Sequence, residues 1–173
     1  MVRRGRSADP CAAAEADAPP WCADLLRYRA LVAALAQRRL ASRPAGLRAG
    51  GGLLEGRPVL NPVHVLATFD WPVQRIGPRY RGSERDGLPV RLVLFRNAIG
   101  GIEHLVVGAQ GEALIAELAR RRVTGQRLID DLARRLAAEQ GADALGLRRG
   151  LALLLEQFRA RGLVLGSTGH NAP

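Results

Sequence analysis

The stretch VRLVLFRNAIGGIEHLVVGAQGEALIAEL, Val90 to Leu118, constrains what this chain can fold into more than any other. Two apolar runs, Val90–Phe95 and Ile102–Val107, flank Asn97-Ala98-Ile99-Gly100-Gly101. Apolar runs around a short Asn- and Gly-bearing segment predict a β-hairpin. A helical pattern follows at once, about Ala109 to Arg121, with Leu114, Ile115 and Leu118 inward. A second helix is expected over about Gln126 to Glu139, with Leu128, Ile129, Leu132 and Leu136 inward and Gly141 past its end. A third is expected over about Ala144 to Arg161, where Leu147, Leu151, Leu154 and Phe158 form the inward stripe and Gly162 is the stop. Leu163–Leu165 adds a short strand. A hairpin joined to three helices reads as a winged-helix-like unit.

The upstream half divides into simpler pieces. Residues 1–18 are Ala-, Asp- and Arg-rich without periodicity, and read as a disordered arm. Pro19-Pro20 then opens a helix that ends near Ala41, since proline is favoured in a first helical turn. Trp21, Leu25, Tyr28, Val32 and Leu35 share one face of it, and Leu26, Leu31 and Leu40 widen that face. Residues 42–59 hold Gly46, Gly50, Gly51, Gly52 and Gly56 and read as a loop, so 19–59 is taken as a helix plus a Gly-rich linker. Val63–Phe69 is a strand that Trp71-Pro72 ends. Residues 60–166 make the winged-helix-like domain, and 167–173 a loose tail. The fold class is α+β: an N-terminal helix, a small antiparallel sheet with a hairpin, and a C-terminal three-helix unit.

Charge narrows the function less than its size suggests. The 173 residues carry a net +10, and every one of the 26 basic residues is Arg. Residues 1–59 hold 10 Arg against 5 acids and residues 60–173 hold 16 against 11, so each part is +5 and there is no basic tail. Arg without Lys, with abundant Ala, Gly, Leu and Pro, reflects GC-rich coding as readily as nucleic-acid binding. Arg3, Arg4 and Arg6 are followed by no apolar run, so no signal peptide is read. No apolar run approaches bilayer length. A cytoplasmic protein with reduced thiols is expected, since two cysteines, Cys11 and Cys22, make no disulfide framework.

Catalytic and cofactor signatures are missing. Val107-Gly108-Ala109-Gln110-Gly111 lies between strand and helix. It lacks the third glycine of a dinucleotide fingerprint and the Gly-Lys-Ser/Thr of a P-loop. His64, His104 and His170 lie far apart in sequence, with no Cys or carboxylate at ligand spacing. Cys22 reads as a small buried hydrophobe. No catalytic or metal residue is assigned. A winged-helix DNA-binding regulator is the alternative reading. It needs a solvated polar recognition helix, whereas Leu151-Ala152-Leu153-Leu154-Leu155 is apolar on every side. That surplus suits a groove that receives an extended peptide, or equally a filled core or subunit contact.

PPWCADLLRYRALVAAL, LNPVHVLATFDWPV and PVRLVLFRN, followed by a helical C-terminus, resemble the MbnC-like proteins. These are partner subunits of MbnB-type multinuclear non-heme iron-dependent oxidases in the biosynthesis of ribosomal peptide natural products. The resemblance covers about Pro19 to Gly166. It implies that the C-terminal unit is similar to a PqqD-like recognition element, which captures a precursor's leader peptide as an added strand. It implies no cofactor in this chain, with the iron in a TIM-barrel partner that modifies cysteine residues of the precursor. On that basis the leader is expected along Glu103, His104, Leu105 and Val106. Leu151, Leu154, Leu155 and Phe158 would form the opposite wall and Arg159 the rim. Trp21 and Tyr28 are expected to pack on the sheet or on the oxidase, as the partner interface. Membrane and nucleic-acid partners are not expected.

Overall fold

The computed structural model describes residues 18–39, 43–77 and 88–169. The chain runs α1 (Cys22–Gln37), β1 (Leu47–Arg48), β2 (Arg57–Leu60), β3 (His64–Phe69), β4 (Val90–Arg96), β5 (Ile102–Val106), α2 (Ala109–Arg120), α3 (Gly125–Gln140), α4 (Ala144–Ala160) and β6 (Val164–Thr168). A short 3-10 turn, Val73–Arg75, follows β3. The protein is mixed α+β, with two three-stranded antiparallel sheets ordered β3-β4-β5 and β1-β6-β2. Of the expected arm, 1–18, and tail, 167–173, residues 1–17 and 170–173 lie outside the described residues.

β4 is the central strand of the first sheet, and its unbroken apolar run, Leu92–Phe95, has a physical cause. Both of its faces are covered. Leu92 and Leu94 turn to one side and pack with Trp21, Leu25, Leu35 and Phe69 beneath α1. Val93 and Phe95 turn to the other and join the core of α2, α3 and α4. Burying each such side chain stabilises the fold by about 1.5–3 kcal/mol over leaving it exposed. The Asp24 carboxylate near the start of α1 accepts from the backbone N–H of Asp70 and Trp71, and Arg27 donates to the Thr68 carbonyl. These bonds tie α1 to the end of β3.

The helices behave as their sequences dictate at the ends. Thr124 caps α3 by accepting from the Arg127 N–H, and Asp143 caps α4 by accepting from Leu145 and Gly146. Gly141 closes α3 at φ 64°. In the middle of α4 the expected stripe needs correction. The buried residues are Leu147, Leu151, Leu155 and Phe158. Leu154 is only partly buried, because α4 packs against both α2 and α3 and the centre of its buried face falls at Leu155.

The Gly-rich segment is not a linker. It supplies β1 and β2, which flank β6 on either side, and it places Leu53 in the core of the C-terminal helices. Its carbonyls also receive the first turn of α3. Gly125 N–H donates to Gly56 C=O and Gln126 N–H to Leu54 C=O, both at 2.9 Å. A Cβ on Gly125 would stand 2.1 Å from the Leu53 oxygen, so only glycine allows this approach. Glycine here serves backbone packing rather than flexibility. β6 likewise extends to Thr168, past the boundary expected for a loose tail.

Asn61 joins the two sheets. It is buried, and its amide donates to the Arg96 carbonyl at 2.8 Å and the Gly162 carbonyl at 3.3 Å. Its side-chain oxygen accepts from Val63 N–H at 2.9 Å, and its own N–H reaches Leu163. Cys22 is buried, as expected of a small hydrophobe, but it is disulfide-bonded rather than a reduced thiol. The chain's other cysteine, Cys11, lies outside the described residues.

Candidate peptide-binding groove

β5 is an edge strand, and the hydrogen bonds at its ends tell which of its groups are open. Val107 N–H donates to Arg91 C=O and Asn97 N–H to Gly101 C=O. Opposed residues in an antiparallel pair alternate between exchanging hydrogen bonds and turning them away. With the register Leu92↔Val106 to Arg96↔Ile102, Glu103 and Leu105 therefore bond to β4. Ile102, His104 and Val106 turn their N–H and C=O groups outward. Among the described residues no backbone group pairs with them from outside the sheet.

Beside this edge lies a cavity of about 700 Å3. Leu105 and Val106 form one wall, and Leu154 and Phe158 of α4 the other. The first turn of α2, Ala109 to Gly111, closes the end. Gly111 sets its depth: a Cβ there would meet Val107 Cβ at 3.3 Å and Phe158 Cζ at 3.5 Å. Gly108, the N-cap of α2, has no side-chain oxygen to offer, so that helix begins without a side-chain cap. Its first N–H groups have no intrahelical acceptor and can receive a carbonyl or carboxylate. Gln140, Gln157 and Arg161 form a polar rim.

The expected residues divide into three groups. Leu105, Val106, Leu154 and Phe158 come together in the groove. Leu151 and Leu155 do not line it; both are 0% exposed and belong to the core. Arg159 is turned to the other side of α4, where it donates to Gly51 C=O and pairs with Glu156 at 2.5 Å. The rim cation is Arg161, which reaches Glu103 at 3.6 Å from the end of α4. Glu103 also accepts from the Asn97 amide at 2.9 Å.

His104 faces α1. Its Nδ1 lies 3.4 Å from the Tyr28 hydroxyl, with the two rings edge-to-face. Tyr28 also packs edge-on to Phe69, and burial raises its phenol above the usual pKa of 10.0. Trp21 is 5% exposed and sits in the core beneath α1. It packs there against the sheet, the first of the two places expected for it. Tyr28 is partly buried on the same sheet.

Gln110, Gln140, Gln157, Ala160 and Arg161 were missed as groove residues. Gly108 and Gly111 were the available signal, since glycines at a strand-to-helix turn permit close approach. Among the described residues no group of three or more His, Cys, Asp and Glu gathers at metal-binding distance. No helix among them is long and apolar enough to cross a membrane. No protein-family model and no curated protein matches the chain.

Proposed function

We propose that this chain is a non-catalytic recognition subunit that binds the leader of a ribosomal precursor peptide. It would present that peptide to an MbnB-like, multinuclear iron-dependent oxidase that modifies precursor cysteines. The observation that carries the reading is the open edge of β5 beside an apolar cavity of about 700 Å3. An extended peptide added there bonds to the outward groups of Ile102, His104 and Val106. Side chains of an added strand alternate between faces. Those over Glu103 and Leu105 enter the cavity towards Leu154 and Phe158, and those over His104 face Tyr28. Main-chain bonds supply affinity and the cavity supplies register. The resemblance to MbnC-like proteins supplies the identity of peptide and partner.

The test is fluorescence anisotropy of a labelled leader, taken from a precursor encoded beside the chain, with and without the co-expressed oxidase. Saturable leader binding that changes little with salt is expected, together with a complex that keeps its iron in the oxidase. A regulator binding duplex DNA would behave otherwise, because phosphate contacts make affinity fall steeply as salt rises. DNA binding of that kind without leader binding would overturn the proposal.

A further inference from the structure

The basic surface of this protein is not uniform. Over much of it Arg side chains meet carboxylates: Arg91 with Glu112, Arg120 and Arg135 with Glu117, Arg148 with Asp130, Arg161 with Glu103. Two adjoining cavities gather Arg side chains with no carboxylate in their lining among the described residues. The larger, of about 490 Å3, is walled by β2, the turn into β3, the end of α2 and β6, and carries Arg57, Arg121, Arg122 and His64. The smaller, of about 330 Å3, carries Arg43, Arg96 and Arg159. The two share Asn61, Pro62 and Leu165. Among the described residues neither is lined by any Asp or Glu.

Some of these cations have structural duties. Arg121 pairs with Asp131, Arg159 with Glu156, and Arg96 bonds to the Gly100 carbonyl. Arg121 and Arg122 also lie at the C-terminus of α2, where a cation is favoured by the helix dipole. That does not account for Arg43 or Arg57, which come from other segments. Arg43, Arg57 and Arg122 have no carboxylate partner among the described residues.

We infer that these adjoining cavities dock an acidic polypeptide segment of a partner protein. Between the cations the walls are aliphatic, with Pro58, Leu60, Leu118 and Leu165, which suits a peptide that alternates carboxylates with small apolar side chains. Nucleic acid is a poorer fit. No Phe, Tyr or Trp lines either cavity to stack bases, and a concave site presents no helix to a duplex groove. The site shares no lining residue with the β5 groove, so it stands independently of the leader reading.

The test is anisotropy of a labelled peptide of alternating glutamate and valine on the full chain, against a counterpart with glutamine for glutamate. The acidic peptide should bind, and bind less tightly as salt rises; the glutamine peptide should be at least about tenfold weaker. Arg57→Glu with Arg122→Glu should lower affinity about tenfold or more. Arg127→Glu with Arg149→Glu changes net charge equally, lines neither cavity and should have a much smaller effect. Arg57→Gln with Arg122→Gln provides a milder pair whose loss should be intermediate. Val106→Pro should leave this binding unchanged. Equal binding of both peptides, or equal loss in the two charge-reversal pairs, would sink the inference. So would tighter binding of oligothymidylate with the same Arg dependence, or displacement of the peptide by inorganic phosphate at comparable concentration.

Discussion

Val106→Pro should weaken leader binding while leaving the fold intact, whereas Leu105→Pro should destabilise the fold itself. The two positions are adjacent, but their N–H groups point to opposite sides of β5. The Val106 group faces outward, and the residue is 63% exposed. Proline is tolerated on an edge strand where its nitrogen faces solvent. Losing that donor removes one main-chain bond to an added peptide. At a net ~0.5–1.5 kcal/mol this is roughly a 2- to 12-fold loss of affinity, and the proline ring adds bulk on the side the peptide must approach. At Leu105 the lost N–H belongs to the β4 ladder, opposite Val93, which is fully buried. Orphaning that carbonyl costs about 1–3 kcal/mol, which lowers the thermal midpoint by roughly 2–12 °C in a chain of this size. Val106→Pro should shift the midpoint by no more than ~2 °C. Anisotropy with a labelled leader and thermal circular dichroism measure both quantities. A stable Val106→Pro protein with unchanged leader affinity would mean that the peptide does not use this edge.

Leu154→Asp should keep the fold and weaken leader binding, whereas Leu155→Asp, placing a charge at a fully buried site, should prevent folding; circular dichroism of the pair separates groove from core. Asn61→Ala leaves Arg96 C=O, Gly162 C=O and Val63 N–H without their present partner and should cost about 2–4 kcal/mol in urea unfolding. A loss below ~0.5 kcal/mol would show that the two sheets do not depend on it. Tyr28 should give an alkaline signature. Its folded pKa lies above the unfolded value of 10.0, so the neutral phenol stabilises the fold fully below that pH and the contribution fades as pH rises through the folded value. Tyr28→Phe should therefore resist alkaline unfolding better than the parent, and an identical alkaline midpoint in the two proteins would contradict the burial.

The sequence alone determined the elements whose periodicity is strong. The Val90–Val107 hairpin and the three helices after it stand within one or two residues of their expected bounds, because apolar spacing and local caps specify both. The Trp21–Leu35 face of α1 was legible for the same reason. What tertiary structure decided is everything that depends on a distant partner. The run of glycines between α1 and β3 looks like a linker because strands β1 and β2 are short and pair with β6, more than a hundred residues away. No local pattern records that pairing. On α4, five consecutive apolar residues left the inward stripe ambiguous by one position. The packing of α2 and α3 chose Leu155 for the core and left Leu154 beside the groove. The same geometry exchanged Arg159 for Arg161 at the rim, since two residues along a helix turn a side chain to the opposite side.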